Sequence, residues 1–240
     1  MVPLGQHRLV TASVAKDRDV TTDPDTPAAF GSGLAWIAIS ADDIADVRRT
    51  LAVASARPCN WQTGIGVVQS CPPTEGLLFI SPPVDGWVMV AGRALPAPHD
   101  ERTSNTFAML MDHLARHFDR VQYFEARSEA GVFAWVAYQE QRLLRAFAFA
   151  EDHACWNRGR VTTEEKQIAP ELFQLRQVAA AHAADGSDRP TPTEAHVFAL
   201  AHRWSLDPST FGTSHSVAPD LGLLARAPEH WASGQLTDAA

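Results

Sequence analysis

Three features of the chain predict an α+β fold built on a largely antiparallel sheet. The runs VQYFEAR, GVFAWVAYQ and RLLRAFAFAE follow one another across residues 121–150 with only short polar connections, as in a C-terminal three-strand meander. Upstream, GLLFIS and GWVMVAGRAL are joined by PPVDG, where Pro83 and Gly86 suit a tight reversal, so a hairpin is expected over 77–81 and 87–93. Hairpins and meander outnumber strand–helix alternations, which predicts six to eight strands with helices packed on one face.

The elements read in order as follows. Residues 7–14 form a strand candidate, and 16–33 are rich in Asp, Thr, Pro and Gly and read as a loop. LAWIAIS is a buried strand. Ser40 then stands as an oxygen cap before ADDIADVRRTLAV, a helix with Ile44, Val47 and Leu51 on one stripe, and the strand–helix–strand unit it opens is a candidate parallel pair. GIGVVQS reads as a strand in which Gly64 and Gly66 mark a bulge or close packing. Ser104 caps a helix of about four turns, whose Phe107, Leu110, Met111, Leu114 and Phe118 share a core face.

Within the meander, Tyr123, Phe133, Trp135, Leu144 and Phe147 are expected to cover a core, with Gln122, Glu125, Arg142 and Arg145 on the polar side. Thr162 and Glu165 have capping-box spacing, and 171–184 reads as an Ala-rich helix. Thr191, Pro192 and Glu194 open a further helix carrying Val197, Leu200, Ala201 and Trp204, while 221–224 and Trp231 are expected to dock on the body. The chain thus reads as one domain over 1–240, with 190–240 a helical C-terminal extension packed on it.

Composition narrows the function. Among 240 residues, 45% hydrophobic and 20% charged, the formal charge is −8 and the pI about 5.6, a balance that opposes binding to nucleic acid or to an anionic membrane surface. Lys16 and Lys166 are the only lysines among 20 basic residues, which leaves Schiff-base and phosphate-loop chemistry almost without candidates. Cys59, Cys71 and Cys155 contain no C-x-x-C pair and are odd in number, so reduced thiols and a cytoplasmic location are expected. No run reaches signal-peptide or bilayer length.

Chemistry-bearing motifs are few. His113 and His117 have the helical spacing of a metal pair, but Leu114, Ala115 and Arg116 lie between them, so the glutamate base of a zinc hydrolase is missing. Cys59, beside Asn60 and Trp61, is the best cysteine nucleophile candidate, with a small buried hydrophobe as its ordinary role. GIGVV lies at a strand start and presents no helix N-terminus to a pyrophosphate, and the chain has no G-x-S-x-G elbow. No cofactor and no catalytic residue are assigned. Asp42, Asp43 and Asp46 suit the first turn of a helix. Together with Trp61 and Trp156, two of seven tryptophans, they are the candidate contacts for a protein partner, since Trp combines large buried area with one polar handle.

The run VQYFEARSEAGVFAWVAYQEQRLLRAFAFAED, continued by WNRGRVTTEEKQI and HRWSLDPSTF, resembles a loosely defined set of bacterial proteins, with weaker likeness in LLFISPPVDGWVMVAGRAL. In general character these look like immunity proteins encoded beside secreted toxins, and the resemblance carries no site residue with it. It implies a non-enzymatic cytoplasmic protein that neutralises a toxin by direct contact, its acidity suiting a basic target. Two other readings stand beside it: a hydrolase using Cys59 or a His113/His117 metal site, and a structural or regulatory subunit of an assembly.

Overall fold

A computed structural model describes residues 20–173, 190–213 and 217–233. Its nine strands are β1 (Leu34–Ser40), β2 (Ala54–Cys59), β3 (Leu77–Ile80), β4 (Trp87–Ala91), β5 (Arg120–Arg127), β6 (Val132–Gln139), β7 (Arg142–Ala150), β8 (His153–Gly159) and β9 (Gly222–Arg226). They form one sheet in the order β2-β9-β3-β4-β1-β5-β6-β7-β8, with every neighbouring pair antiparallel. The fold class is therefore α+β on an antiparallel sheet. The first strand–helix–strand unit is not a parallel pair, because β2 lies at the edge, four places from β1.

The helices are α1 (Ile44–Leu51), α2 (Trp61–Ser70), α3 (Ser104–His117), α4 (Thr163–Ile168), α5 (Pro170–Phe173), α6 (Glu194–Trp204) and α7 (Glu229–Ser233). They flank both faces of the sheet, where one face was expected. LAWIAIS explains why: Leu34, Trp36 and Ala38 enter one core, while Ala35, Ile37 and Ile39 enter the other, so the central strand is apolar on both sides and both need cover. Trp61, Ile65 and Val68 of α2 and Val197, Leu200 and Ala201 of α6 cover the first face. Val47 and Leu51 of α1, Phe107, Leu110, Met111 and Leu114 of α3, and Trp231 of α7 cover the second. Each large apolar side chain on these stripes stabilises the fold by about 1.5–3 kcal/mol relative to an exposed position.

The 77–81/87–93 hairpin is present as β3 and β4, with Ile80 opposite Val90. The meander runs through β5, β6 and β7 and continues into β8, which pairs from Arg145–Gly159 to Ala150–His153. Both tight connections use two residues with positive φ, Glu140 and Gln141, then Glu151 and Asp152, as a type I′ turn demands. Neither pair is the usual Asn-Gly, so pairing of the long strands sustains a turn that local preference does not favour.

Several expectations change. GIGVVQS belongs to helix α2 and not to a strand. The Asn60 side chain accepts from the N–H of Thr63, the Asp25 carboxylate accepts from the N–H groups of Trp61 and Gln62, and the Asn60 N–H donates to Thr21 O, so all four free donors at the helix start are satisfied. Gly64 permits this packing, because a Cβ there would overlap the Phe79 ring. Helix α1 is capped by Asp43, whose side chain accepts from the Ala45 N–H at 2.7 Å; Ser40 instead pairs with Trp87 in the sheet. At α6 the capping box is formed by Thr193 and His196, two residues beyond Thr191, while the Thr162/Glu165 box of α4 is present.

The segment 190–240 is not wholly helical: β9 inserts between β2 and β3, matching Leu78 with Ala225 and Phe79 with Leu224. Sheet parity also reassigns the meander. Arg145 is wholly buried and Leu144 is 48% exposed, because Arg145 shares a face with Phe147. Gln122 and Glu125 are buried as well. The strand candidate at 7–14 and residues 174–184 of the Ala-rich helix lie outside the described residues.

Candidate functional site

The residues singled out by sequence do not converge on one centre. Cys59 ends β2, buried beneath the sheet, and burial pushes its thiol up to about 12, against weaker opposing effects from a Leu224 backbone hydrogen bond and the Arg57 charge. A thiol so placed has essentially no thiolate at neutral pH. His113 and His117 sit on the exposed side of α3 with ring centroids 4.6 Å apart. One nitrogen of each faces a backbone carbonyl, His113 Nε2 at 3.1 Å from Thr50 and His117 Nδ1 at 2.9 Å from His113. No group of three or more His, Cys, Asp or Glu able to hold a metal occurs among the described residues.

Trp61 is 1% exposed, tilted against Phe79 and edge-on to Phe211, and so has no surface to offer a partner; this corrects its assignment as a contact residue. Its position follows from the helix stripe, which a strand reading of the following residues had hidden. Trp156 is half-buried on β8, edge-on to Phe107 of α3, and keeps part of its surface open. Asp42, Asp43 and Asp46 are exposed at the start of α1, Asp43 as the cap and Asp46 paired with Arg49. Both α1 and Trp156 belong to the second face of the sheet, whereas Trp61 belongs to the first.

A site that sequence reasoning missed lies at one end of the sheet, where β4, β1 and β5 meet the loop before α3. A cleft of about 750 Å³ opens there, with Ala35, Leu95 and Trp231 on its apolar lining and Arg93, His99 and Arg127 among its polar groups. At its floor Glu125 is 3% exposed. The Tyr123 hydroxyl donates to its Oε2 at 2.8 Å, Arg127 Nε lies 2.7 Å from Oε1, and His99 Nδ1 lies 3.3 Å from Oε2. Arg127 Nη2 donates to His99 Nε2 at 2.9 Å, which makes Nε2 the acceptor and leaves the imidazole proton on Nδ1, facing the carboxylate. Burial alone would raise the Glu125 carboxyl, but the His99 contact, the Arg127 charge and the Tyr123 hydroxyl outweigh it and hold the group below its ordinary range.

The local sequence builds this array. Tyr123, Glu125 and Arg127 alternate along β5 and so line one face, and the loop carrying His99 crosses above them, fixed by contacts between Thr103 and Ala97. Gly33, at φ +71°, immediately precedes β1, with Arg93 just beyond β4 and Arg127 at the end of β5, and its N–H donates to Ala126 O at 2.8 Å. The available signal was the i, i+2 spacing of Tyr123, Glu125 and Arg127; its meaning depended on His99, which only folding brings close.

A second cleft of about 780 Å³ adjoins the first, sharing His99, Asp100, Arg102 and Arg127 and extending to Glu151, His153 and Cys155. The His99–Arg127 pair thus borders both. No family model, no curated protein and no solved structure matches this chain.

Proposed function

We propose that the chain is a non-enzymatic binding protein, a cytoplasmic immunity protein that neutralises a bacterial toxin by direct protein–protein contact. The observation that carries this reading is the clustering of exposed Asp42, Asp43 and Asp46 at the start of α1, on the same face of the sheet as the half-exposed Trp156. In a chain of net charge −8, such acids would steer a basic partner, and the amphipathic Trp156 ring, on the same face, supplies apolar contact area. The absence of a long apolar helix among the described residues is compatible with this location. The hydrolase alternative draws little support from Cys59, which is buried and held as a thiol.

The test is co-expression of the chain with each product of the adjacent genes, scored for suppression of toxicity and followed by purification of the complex. Suppression with a stoichiometric complex supports the reading. The variant Asp42→Asn/Asp43→Asn/Asp46→Asn, which retains an oxygen cap at position 43, should then slow association and weaken its salt dependence. If no adjacent product is toxic, or none is suppressed, the proposal is wrong.

A further inference from the structure

We propose that the cleft at the ends of β4, β1 and β5 is a binding site for a small organic monocarboxylate, held by the guanidinium groups of Arg93 and Arg127 with its apolar body against Ala35, Leu95 and Trp231. The site is distinct from the acidic face invoked for a protein partner, and its failure would leave that reading untouched.

Three observations converge on this ligand. The first is charge pairing within the cleft. Arg127 is matched by buried Glu125, and Arg102 lies 3.4 Å from Asp100, whereas Arg93 has no hydrogen bond or ion pair among the described residues. Arg93 is exposed at the mouth, with Nη2 beside Gly33, 3.8 Å from where a Cβ would stand. Arg93 is therefore a cation with no direct partner among the described residues, at the place where a ligand would enter.

The second is preorganisation. Arg127 is half-exposed, yet its Nε faces Glu125 and one Nη2 proton is given to His99, while Nη1 remains uncommitted among the described residues. A guanidinium fixed from behind in this way loses little freedom on binding, and its planar fork matches the two oxygens of a carboxylate.

The third is the remaining lining. Asp100, Glu125 and Glu129 also border the cleft, against Arg93, Arg102 and Arg127, so a doubly charged phosphate meets about twice the carboxylate repulsion of a single negative charge, which pairing with Arg93 suffices to offset. The apolar side chains behind the arginines suit a hydrocarbon body, and the cleft volume of about 750 Å³ falls within the range of small-molecule sites.

The experiment is calorimetric titration of the full chain with sodium hexanoate, sodium benzoate, inorganic phosphate and N-acetyl-glutamate N-methylamide, the last standing for an acidic side chain of a partner protein. Saturable binding of hexanoate or benzoate, tighter than that of phosphate and of the glutamate amide, is expected. Arg93→Ala, an exposed position whose change should leave thermal unfolding unaltered, should weaken it at least tenfold. Arg127→Lys keeps the charge against Glu125 but loses the fork, and should also weaken it. The proposal is overturned if neither carboxylate saturates, if phosphate or the glutamate amide binds more tightly, or if Arg93→Ala leaves affinity unchanged.

Discussion

Arg145 and Glu165 form an ion pair that is almost wholly removed from solvent, with Arg145 Nε 2.7 and 2.8 Å from the two carboxylate oxygens. The pair ties β7 to α4. Glu165 also accepts from Trp135 Nε1 at 2.7 Å and from the Thr162 N–H, while Arg145 Nη1 donates to Ala146 O, Asn157 Oδ1 and Arg158 O. One carboxylate thus closes the capping box of its own helix and accepts from two side chains of the sheet. Two charges so enclosed give little net stability together, but either alone is costly.

Glu165→Ala should therefore destabilise the fold by about 3–5 kcal/mol, since it leaves the Arg145 charge buried without its partner. Replacing both, as Arg145→Met with Glu165→Leu, should recover a large part of that loss. Urea denaturation of the two variants tests the claim, and equal destabilisation would refute it.

Glu125 makes stability depend on pH in a defined direction. Its carboxyl is held below the ordinary range in the folded chain, so its contribution is fully present above the unfolded value of about 4.3 and is lost as pH falls through the lower folded value. Glu125→Gln should flatten the stability profile in that acid window and lower stability above it. Denaturation curves between about pH 3 and pH 7 check this against the unaltered chain.

Thiol reactivity should separate the cysteines. Cys59 and Cys71 are buried and Cys155 is exposed, its thiol raised by burial in part and so slow to ionise. Iodoacetamide should modify Cys155 in the folded protein and reach Cys59 and Cys71 only on unfolding. Rapid folded-state labelling of Cys59 would revive a nucleophile at that position.

Gly64→Ala is a small change with a large expected effect. The added methyl meets the Phe79 ring, which is fully buried between α2 and the sheet, so the ring cannot swing away. A loss of about 1–3 kcal/mol is expected in thermal or chemical unfolding. Gly66→Ala meets nothing within 4 Å and, in the same helix, should be neutral or stabilising.

Short continuous apolar runs bounded by turn formers made β1 and the β3–β4 hairpin legible in sequence, because a strand buried on both faces is apolar throughout, and the short polar connections between apolar-rich runs did the same for the β5–β7 meander. The Thr162/Glu165 cap and the core stripe of α3 were legible for the same local reason. β8 was not, since an edge strand with mostly exposed side chains carries no such pattern, and β9 gained its place only by pairing with partners more than a hundred residues away. The first turn of α2 is held by Asp25, far upstream, which a local reading of GIGVVQS does not contain. The chain by itself determined which segments have apolar faces; tertiary structure decided which polar side chains were carried inside with them. Arg145 and Glu125 were placed on a polar side by their chemistry, yet parity puts each beside an aromatic neighbour, and burial becomes tolerable only because Glu165 in one case, and His99 and Arg127 in the other, are brought within bonding distance by the fold.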